Sequence, residues 1–187
     1  MTDAGEQPED IDPAERLAAS ADVHRNAWEE TIEEMNASAD EYAADGWETH
    51  TVAALNTAAV SRDEAAAARA DIGWGLVHTI PDNFVGEFAD AVDRGAFPEY
   101  DVFRRLVDGR VFHLLVLRDP DERLALFVAG NYPLQGAEGC IAAAKDEEGL
   151  QSWLRGTDGT VAGTFRHAEP AKFFPHWDDF ASYFGRD

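Results

Sequence analysis

The longest regular pattern of apolar and polar positions begins near the N-terminus. Asp12 is a cap candidate, Pro13 stands at the first helical position, and Glu15 completes a capping-box arrangement. From there apolar residues recur every three or four positions, and no Gly or Pro interrupts the chain before Gly46. The pattern predicts one long amphipathic helix that docks on a sheet. A dimerising coiled coil is the alternative, although polar residues weaken a strict heptad.

Three strands are predicted in the middle of the chain: Tyr100–Val107, Arg110–Arg118 and Arg123–Tyr132. Asp108-Gly109 favours a type I′ hairpin between the first two, and Asp119–Glu122 favours a type I turn before the third. The second and third strands are apolar at nearly every position. Because a half-exposed antiparallel strand would alternate, we expect this pair to be central and covered on both faces.

The remaining segments complete a single α+β domain over residues 12–187. Further strands are predicted at 47–53, 75–79, 150–155 and 160–167, and helices at 62–69, 84–95 and 136–148. This order predicts a mostly antiparallel sheet of about 5–7 strands, with the long N-terminal helix and two further helices packed on it. Residues 1–11 are acidic and lack periodicity, so we predict a disordered tail there.

The predicted register of the first hairpin brings two polar side chains together. With Val107 opposite Arg110, Arg104 lies opposite His113 on an otherwise aliphatic face, and a tight second turn would place Val128 on the other side of His113. Adjacent cations repel, so His113 should be neutral or an anion should lie between the two side chains. Arg104 and His113 are therefore candidate ligand-binding residues for a carboxylate or phosphate. Alternatively, Arg104 pairs with a carboxylate of a covering helix and His113 is a core histidine.

The single cysteine, Cys140, is a candidate reactive thiol. It lies near the start of a predicted helix, a position that lowers a thiol pKa, but it also opens an apolar run typical of buried packing. A lone cysteine excludes an internal disulfide, and no pair of histidines has the spacing of metal ligands. We therefore assign no catalytic residue, no metal and no cofactor.

The last part of the chain, residues 173–184, is dense in aromatic residues. This segment either seals a face of the sheet or offers a contact surface. With the helical stripe it supplies the candidate interface residues Trp28, Met35, Tyr42, Phe174, Trp177, Phe180, Tyr183 and Phe184. We therefore expect the protein to form a homodimer or to bind a protein partner, through these residues or through a sheet edge.

The balance of charged residues is the most informative feature of the composition. The chain has 37 Asp and Glu against 15 Lys and Arg, a formal net charge of -22, and only two lysines, Lys145 and Lys172. In molar salt the Debye length falls to about 3 Å, so such repulsion is screened. The balance predicts a protein of a high-salt cytoplasm. The acidic balance argues against binding of nucleic acid, which needs a basic surface. The sequence contains no run of 18 apolar residues, so it predicts no membrane span.

Several segments resemble an uncharacterised α+β domain family that is widespread in haloarchaea. The resemblance covers about residues 13–175 and rests on Gly46–Thr49, Ile80–Phe84, Tyr100–Arg104 and Ala125–Ala129, with residues 58–70 as an apparent insertion. It implies no activity and supplies no catalytic residues. From the sequence we expect a non-enzymatic interaction or regulatory module. The alternative is a small-anion-binding protein or hydrolase that uses Arg104 and His113.

Overall fold

Two four-stranded sheets organise the chain. The computed structural model describes residues 12–68 and 73–185, so the predicted tail at 1–11 lies outside the described residues. The helices are α1 (Pro13–Ala44), α2 (Arg62–Ala67), α3 (Asp82–Arg94), α4 (Glu138–Glu147) and α5 (Phe180–Phe184). The strands are β1 (Glu48–Ala53), β2 (Asn56–Val60), β3 (Gly75–Thr79), β4 (Glu99–Val107), β5 (Arg110–Asp119), β6 (Leu124–Pro133), β7 (Leu150–Arg155) and β8 (Val161–His167).

Both sheets are mixed, which corrects the prediction of one mostly antiparallel sheet. The first sheet has the order β1-β6-β5-β4 and the second has the order β2-β3-β7-β8. Each contains one parallel pair, β1 with β6 and β3 with β7. Parallel neighbours come from distant parts of the chain, so hairpin signals alone could not reveal them. The prediction that β5 and β6 are central strands is confirmed.

Strand β2 was missed in the sequence. Its segment, Asn56–Val60, has an asparagine and two alanines among its five residues, so the local signal for a strand was weak. It pairs antiparallel with β3. The short helix predicted directly after it is confirmed as α2, where Ser61 and Glu64 form a capping box.

The main core lies between the two sheets, and α1 covers the outer face of the first sheet. Thr31, Met35 and Ala39 of α1 are buried, and Met35 and Ala39 pack on a patch that includes Leu114 and Phe127. Docking of the long helix on a sheet is therefore confirmed. Its start at Pro13 is confirmed too, because the carboxylate of Asp12 accepts a hydrogen bond from the amide of Ala14 at 3.0 Å.

The register of the first hairpin is confirmed, and that of the second is corrected. Arg104 is the cross-strand partner of His113 in the β4–β5 pair, as predicted. On the other side of His113 lies Gly130 rather than Val128. The cause is the turn: Asp119 still pairs within the ladder, and Arg123 takes a left-handed conformation with φ 51° before β6 begins. The four-residue turn therefore spans residues 120–123 instead of 119–122: β5 ends one residue later and β6 begins one residue later than predicted, so the partner of His113 moves by two.

The aromatic C-terminal segment seals the core. Phe173 and Phe174 are 1% and 0% exposed, and Trp177, Phe180 and Phe184 pack against the same core from the side. Apolar burial of this size is a main source of stability in a domain of this length. The sealing alternative therefore describes most of this segment.

Candidate functional site

Three histidines meet in the layer between the two sheets. His113 comes from β5 of the first sheet, whereas His78 of β3 and His167 of β8 come from the second. None of the three is more than 1% exposed. Sequence reasoning singled out only His113. It missed His78 and His167 because β3 and β8 could not be placed opposite β5 from local patterns.

Hydrogen bonds connect two of these histidines to each other and the third to a neighbouring strand. The Nε2 atoms of His78 and His113 are 2.8 Å apart, and Nδ1 of His78 lies 3.3 Å from the carbonyl oxygen of Trp153. If His78 donates from Nδ1 to that carbonyl, its Nε2 accepts the proton that His113 carries on Nε2. His167 forms a separate bond of 2.7 Å between its Nε2 and the hydroxyl of Ser152. The bond between His78 and His113 requires that the accepting imidazole of the pair be neutral.

Burial keeps the three imidazoles neutral. It lowers the pKa of His78 to about 4 and the pKa of His167 to about 3, since the charged form loses its hydration. Burial also lowers the pKa of His113 well below its usual value, and the proximity of His78 adds to that effect. Burial therefore favours the uncharged form of all three imidazoles at neutral pH.

The environment of His113 is tightly packed on the β6 side. A Cβ atom on Gly130 would lie 2.6 Å from Oγ1 of Thr57 and 2.7 Å from Cε1 of His113. The absence of a side chain at Gly130 is what makes room for the imidazole. Oγ1 of Thr57 and Nδ1 of both His113 and His167 are buried and make no hydrogen bond within the part of the chain that the structure describes.

Arg104 does not share a site with His113, although the two are cross-strand partners. Arg104 is exposed at the edge of the first sheet, and its Nε donates a hydrogen bond of 3.0 Å to the carbonyl oxygen of Lys172. His113 instead points into the closed layer between the sheets and is 1% exposed. The two side chains therefore do not line a common pocket: Arg104 lies at the exposed edge and His113 lies in the buried layer.

A cleft of about 650 Å³ lies where α1 meets β4, and Arg104 lines it. Arg105 and Lys172 also line the cleft, together with Glu34, Ser38 and the aromatic rings of Phe103 and Phe112. Arg105 forms ion pairs with Glu30 and Glu34, and Lys172 pairs with Glu169 at 3.0 Å. Arg104 forms no ion pair among the described residues, so it is the cation with the greatest capacity to bind an anion here.

Cys140 lies deep in the core. It is 0% exposed in the first turn of α4, and burial raises the pKa of its thiol to about 12. A thiol that is protonated at neutral pH and closed to solvent is a poor nucleophile. This environment corrects the interpretation of Cys140 as a reactive thiol and favours the packing alternative.

The candidate interface residues differ widely in exposure. Met35 and Phe174 are 4% and 0% exposed, so the structure corrects their assignment to an interface. Trp28 and Tyr42 pack against the first sheet, and Trp177, Phe180 and Phe184 pack against the main core. Tyr183, at 41% exposure, is the large apolar side chain of this set that remains open to contact.

The edge of the first sheet formed by β4 exposes two large apolar side chains beside backbone groups that are unpaired in the described part of the chain. This strand has nine residues, against six in β1, five in β2 and seven in β8, the other edge strands. Phe103 is 56% exposed and Leu106 is 39% exposed. Within the described residues no other backbone group bonds to the outer side of β4. Such an edge can add another strand.

The hairpin turn determines which residues of β4 face outward. Asp108 and Gly109 have φ values of 46° and 75°, as a type I′ turn requires. In a two-residue hairpin the flanking residues, here Val107 and Arg110, exchange both backbone hydrogen bonds. Bonding to β5 then recurs at every second residue, and the outward N–H and C=O groups belong to the other set: Tyr100, Val102, Arg104 and Leu106.

Two further observations bear on the class of protein. Among residues 12–68 and 73–185, no group of three or more His, Cys, Asp or Glu side chains could hold a metal ion. No helix in the same ranges combines the length and the apolar character needed to cross a membrane.

Comparison with known proteins identifies the family. A family of unknown function, DUF7529, matches residues 14–175, and the chain belongs to it. No curated protein and no solved structure has significant similarity to the chain. The family match covers most of the domain described above and assigns no activity to it.

Proposed function

We propose that this protein is a non-enzymatic interaction module whose binding element is the β4 edge. Its partner is an extended polypeptide segment that adds as a further strand to the first sheet. The observation that carries the proposal is the nine-residue edge with open hydrogen-bonding groups and two exposed apolar side chains. Main-chain hydrogen bonds supply affinity in this mode of recognition, and alternate side chains supply specificity.

The side chains of β4 specify what kind of segment fits. Asp101, Phe103 and Arg105 lie on one face, and Phe103 projects farthest into solvent. A matching strand would place an apolar residue opposite Phe103 and an acidic residue opposite Arg105, since cross-strand pairs of these types are stabilising. The strand itself contains two acidic and two basic residues, so it is neutral in a chain of net charge -22. An acidic partner is therefore not repelled locally.

The proposed working environment is a high-salt cytoplasm. The support is compositional: 37 acidic residues against 15 basic ones create strong self-repulsion at low ionic strength. At molar salt the Debye length of about 3 Å screens that repulsion between whole molecules. Contacts between chains of this charge are then governed by apolar burial and backbone hydrogen bonds.

A partner-independent selection tests strand addition. Peptides from a random library would be selected in molar KCl on the wild-type protein and then compared on Val102→Pro, which removes one outward N–H. Val102→Thr is the matched control, because it keeps the branched shape and the N–H. We expect selected peptides to bind wild type and Val102→Thr equally and Val102→Pro at least 10-fold more weakly. Equal binding to all three proteins, or a selection that yields no edge-binding peptide, would overturn the proposal.

Small-anion binding is a second candidate function, and the position of Arg104 favours it. Arg104 lines the cleft between α1 and β4, and its guanidinium has no carboxylate partner among the described residues. A bidentate carboxylate or phosphate is the ligand that such a group prefers. Inorganic phosphate and citrate should raise the Tm of wild type and of Arg110→Ala, but not of Arg104→Ala. Equal stabilisation of all three proteins would exclude this site.

A further inference from the structure

We propose that the strand received by β4 is the β4 strand of a second copy of this chain. The inference rests on the proposed function and adds the identity of the partner. It predicts a homodimer in which two first sheets join into one continuous eight-stranded sheet. A twofold axis then relates the two protomers, as in most homodimers, and the same residues appear on both sides of the interface.

The alternation of outward groups restricts the register. An antiparallel ladder forms its hydrogen bonds between residues whose backbone groups face the partner. In β4 these are Tyr100, Val102, Arg104 and Leu106. One register pairs all four with one another: Tyr100 lies opposite Leu106, and Val102 lies opposite Arg104. A shift by one residue in each strand leaves one of the four without a partner.

This register places Phe103 on the twofold axis. Phe103 then faces its symmetry mate at a non-hydrogen-bonded position, where side chains approach most closely. Phe103, the most exposed apolar side chain of β4 at 56%, becomes the centre of the interface. Aromatic pairs across strands stabilise a sheet beyond their burial alone.

The charges of β4 are self-complementary in the same register. Arg105 lies opposite Asp101 of the partner subunit, and the symmetry repeats the pair on the other side of the axis. Within one protomer Arg105 already contacts Glu30 and Glu34, and Asp101 accepts a hydrogen bond of 2.7 Å from Arg118. The new contacts therefore extend two existing ion-pair groups into a network. No pair of like charges faces across the strands.

Engineered cysteines test the register. The native Cys140 is buried, so a cysteine introduced on β4 is the accessible thiol of the described chain. In a non-hydrogen-bonded antiparallel pair the Cα atoms are about 4.5 Å apart, a separation that a disulfide spans. With a mild oxidant in molar KCl, we expect Phe103→Cys to form a covalent dimer. Leu17→Cys, on an exposed site of α1, is the control for chance collisions.

Two more variants separate the possible registers. We expect Val102→Cys and Arg104→Cys to link poorly when each is alone and efficiently when the two are mixed. Preferential linkage of either variant with itself would show a shifted register and overturn the inference. A monomer of 20.5 kDa by light scattering at every concentration, with no linkage above the Leu17→Cys control, would exclude a second copy as the partner. The peptide selection would then still decide whether the edge binds strands.

Discussion

The buried histidine cluster predicts a steep loss of stability in mild acid. Lowering the pH from 7 to 5 protonates histidines in the unfolded chain, where their pKa is about 6.5. In the folded state burial lowers the pKa of His78 to about 4 and of His167 to about 3, and lowers that of His113 as well. Between these values the unfolded chain binds more protons. Stability is therefore complete above pH 6.5 and decreases as the pH falls toward the folded-state values.

The expected loss is large compared with the stability of a domain. Each histidine contributes about 1.4 kcal/mol per pH unit within its window, hence about 2 kcal/mol between pH 6.5 and pH 5. His78 and His167 together give about 4 kcal/mol, His113 adds to the loss in the same direction, and a typical domain has about 5–15 kcal/mol in total. Glu48, whose pKa is lowered to about 2 mainly by its hydrogen bond to Arg94, titrates below this window. The histidine contribution can therefore be measured separately.

Denaturant titrations in molar KCl at several pH values measure this dependence. In His167→Phe the loss between pH 6.5 and 5 should be about 2 kcal/mol smaller than in wild type, since one titrating group is gone. The rings of Tyr100 and Phe173, 4.5 and 4.7 Å from the imidazole, provide an aromatic site for the new side chain. His24→Phe removes a histidine outside the cluster and should keep the wild-type slope. A free energy of unfolding that is constant from pH 7 to 5 would show that burial does not lower the pKa of these histidines. The same conclusion would follow if the free energy of unfolding of His167→Phe depended on pH as steeply as that of wild type.

Three further predictions concern packing, the second turn and salt. In thermal melts, Gly130→Ala should lower the free energy of unfolding by about 1–3 kcal/mol, because the new methyl group clashes with Thr57 and His113. The control is Gly86→Ala, in open space on α3, which should be neutral or stabilising in the same melts. Asp119→Ala should lower the Tm measured by calorimetry, since this carboxylate accepts backbone hydrogen bonds from residues 96, 121 and 122; a Tm equal to that of wild type would contradict this role. Transfer from molar to ~0.1 M KCl should unfold or aggregate the protein through unscreened repulsion, and an unchanged circular-dichroism spectrum would argue against the high-salt environment.

Local patterns in the sequence predicted most elements but not how the two sheets assemble. The cap at Asp12, the helical stripe of α1 and the Asp108-Gly109 turn each act over a few residues, and all three appear in the structure. The parallel pairs and the division into two sheets depend on contacts between distant segments. Strand β2 lacked the large residues that mark a strand, so the prediction omitted this edge strand of the second sheet.

The same distinction explains the outcome for the candidate site. The register of one hairpin correctly placed Arg104 opposite His113, because a two-residue turn fixes every pair that follows. It could not show that His113 meets His78 from the other sheet, since that contact depends on sheet packing. The predicted register between β5 and β6 was wrong because Arg123 belongs to the turn and not to β6. Its left-handed conformation is unusual for a residue other than Gly, Asn or Asp.

Amide hydrogen exchange in β4 tests strand addition at this edge most directly. In molar KCl the amides of Phe103 and Arg105, which bond to β5, should be protected at every protein concentration. Those of Val102 and Arg104 should become protected as the concentration rises and a second copy adds to the edge. Exchange of the Val102 and Arg104 amides at the same fast rate across the whole concentration range would contradict self-association through β4.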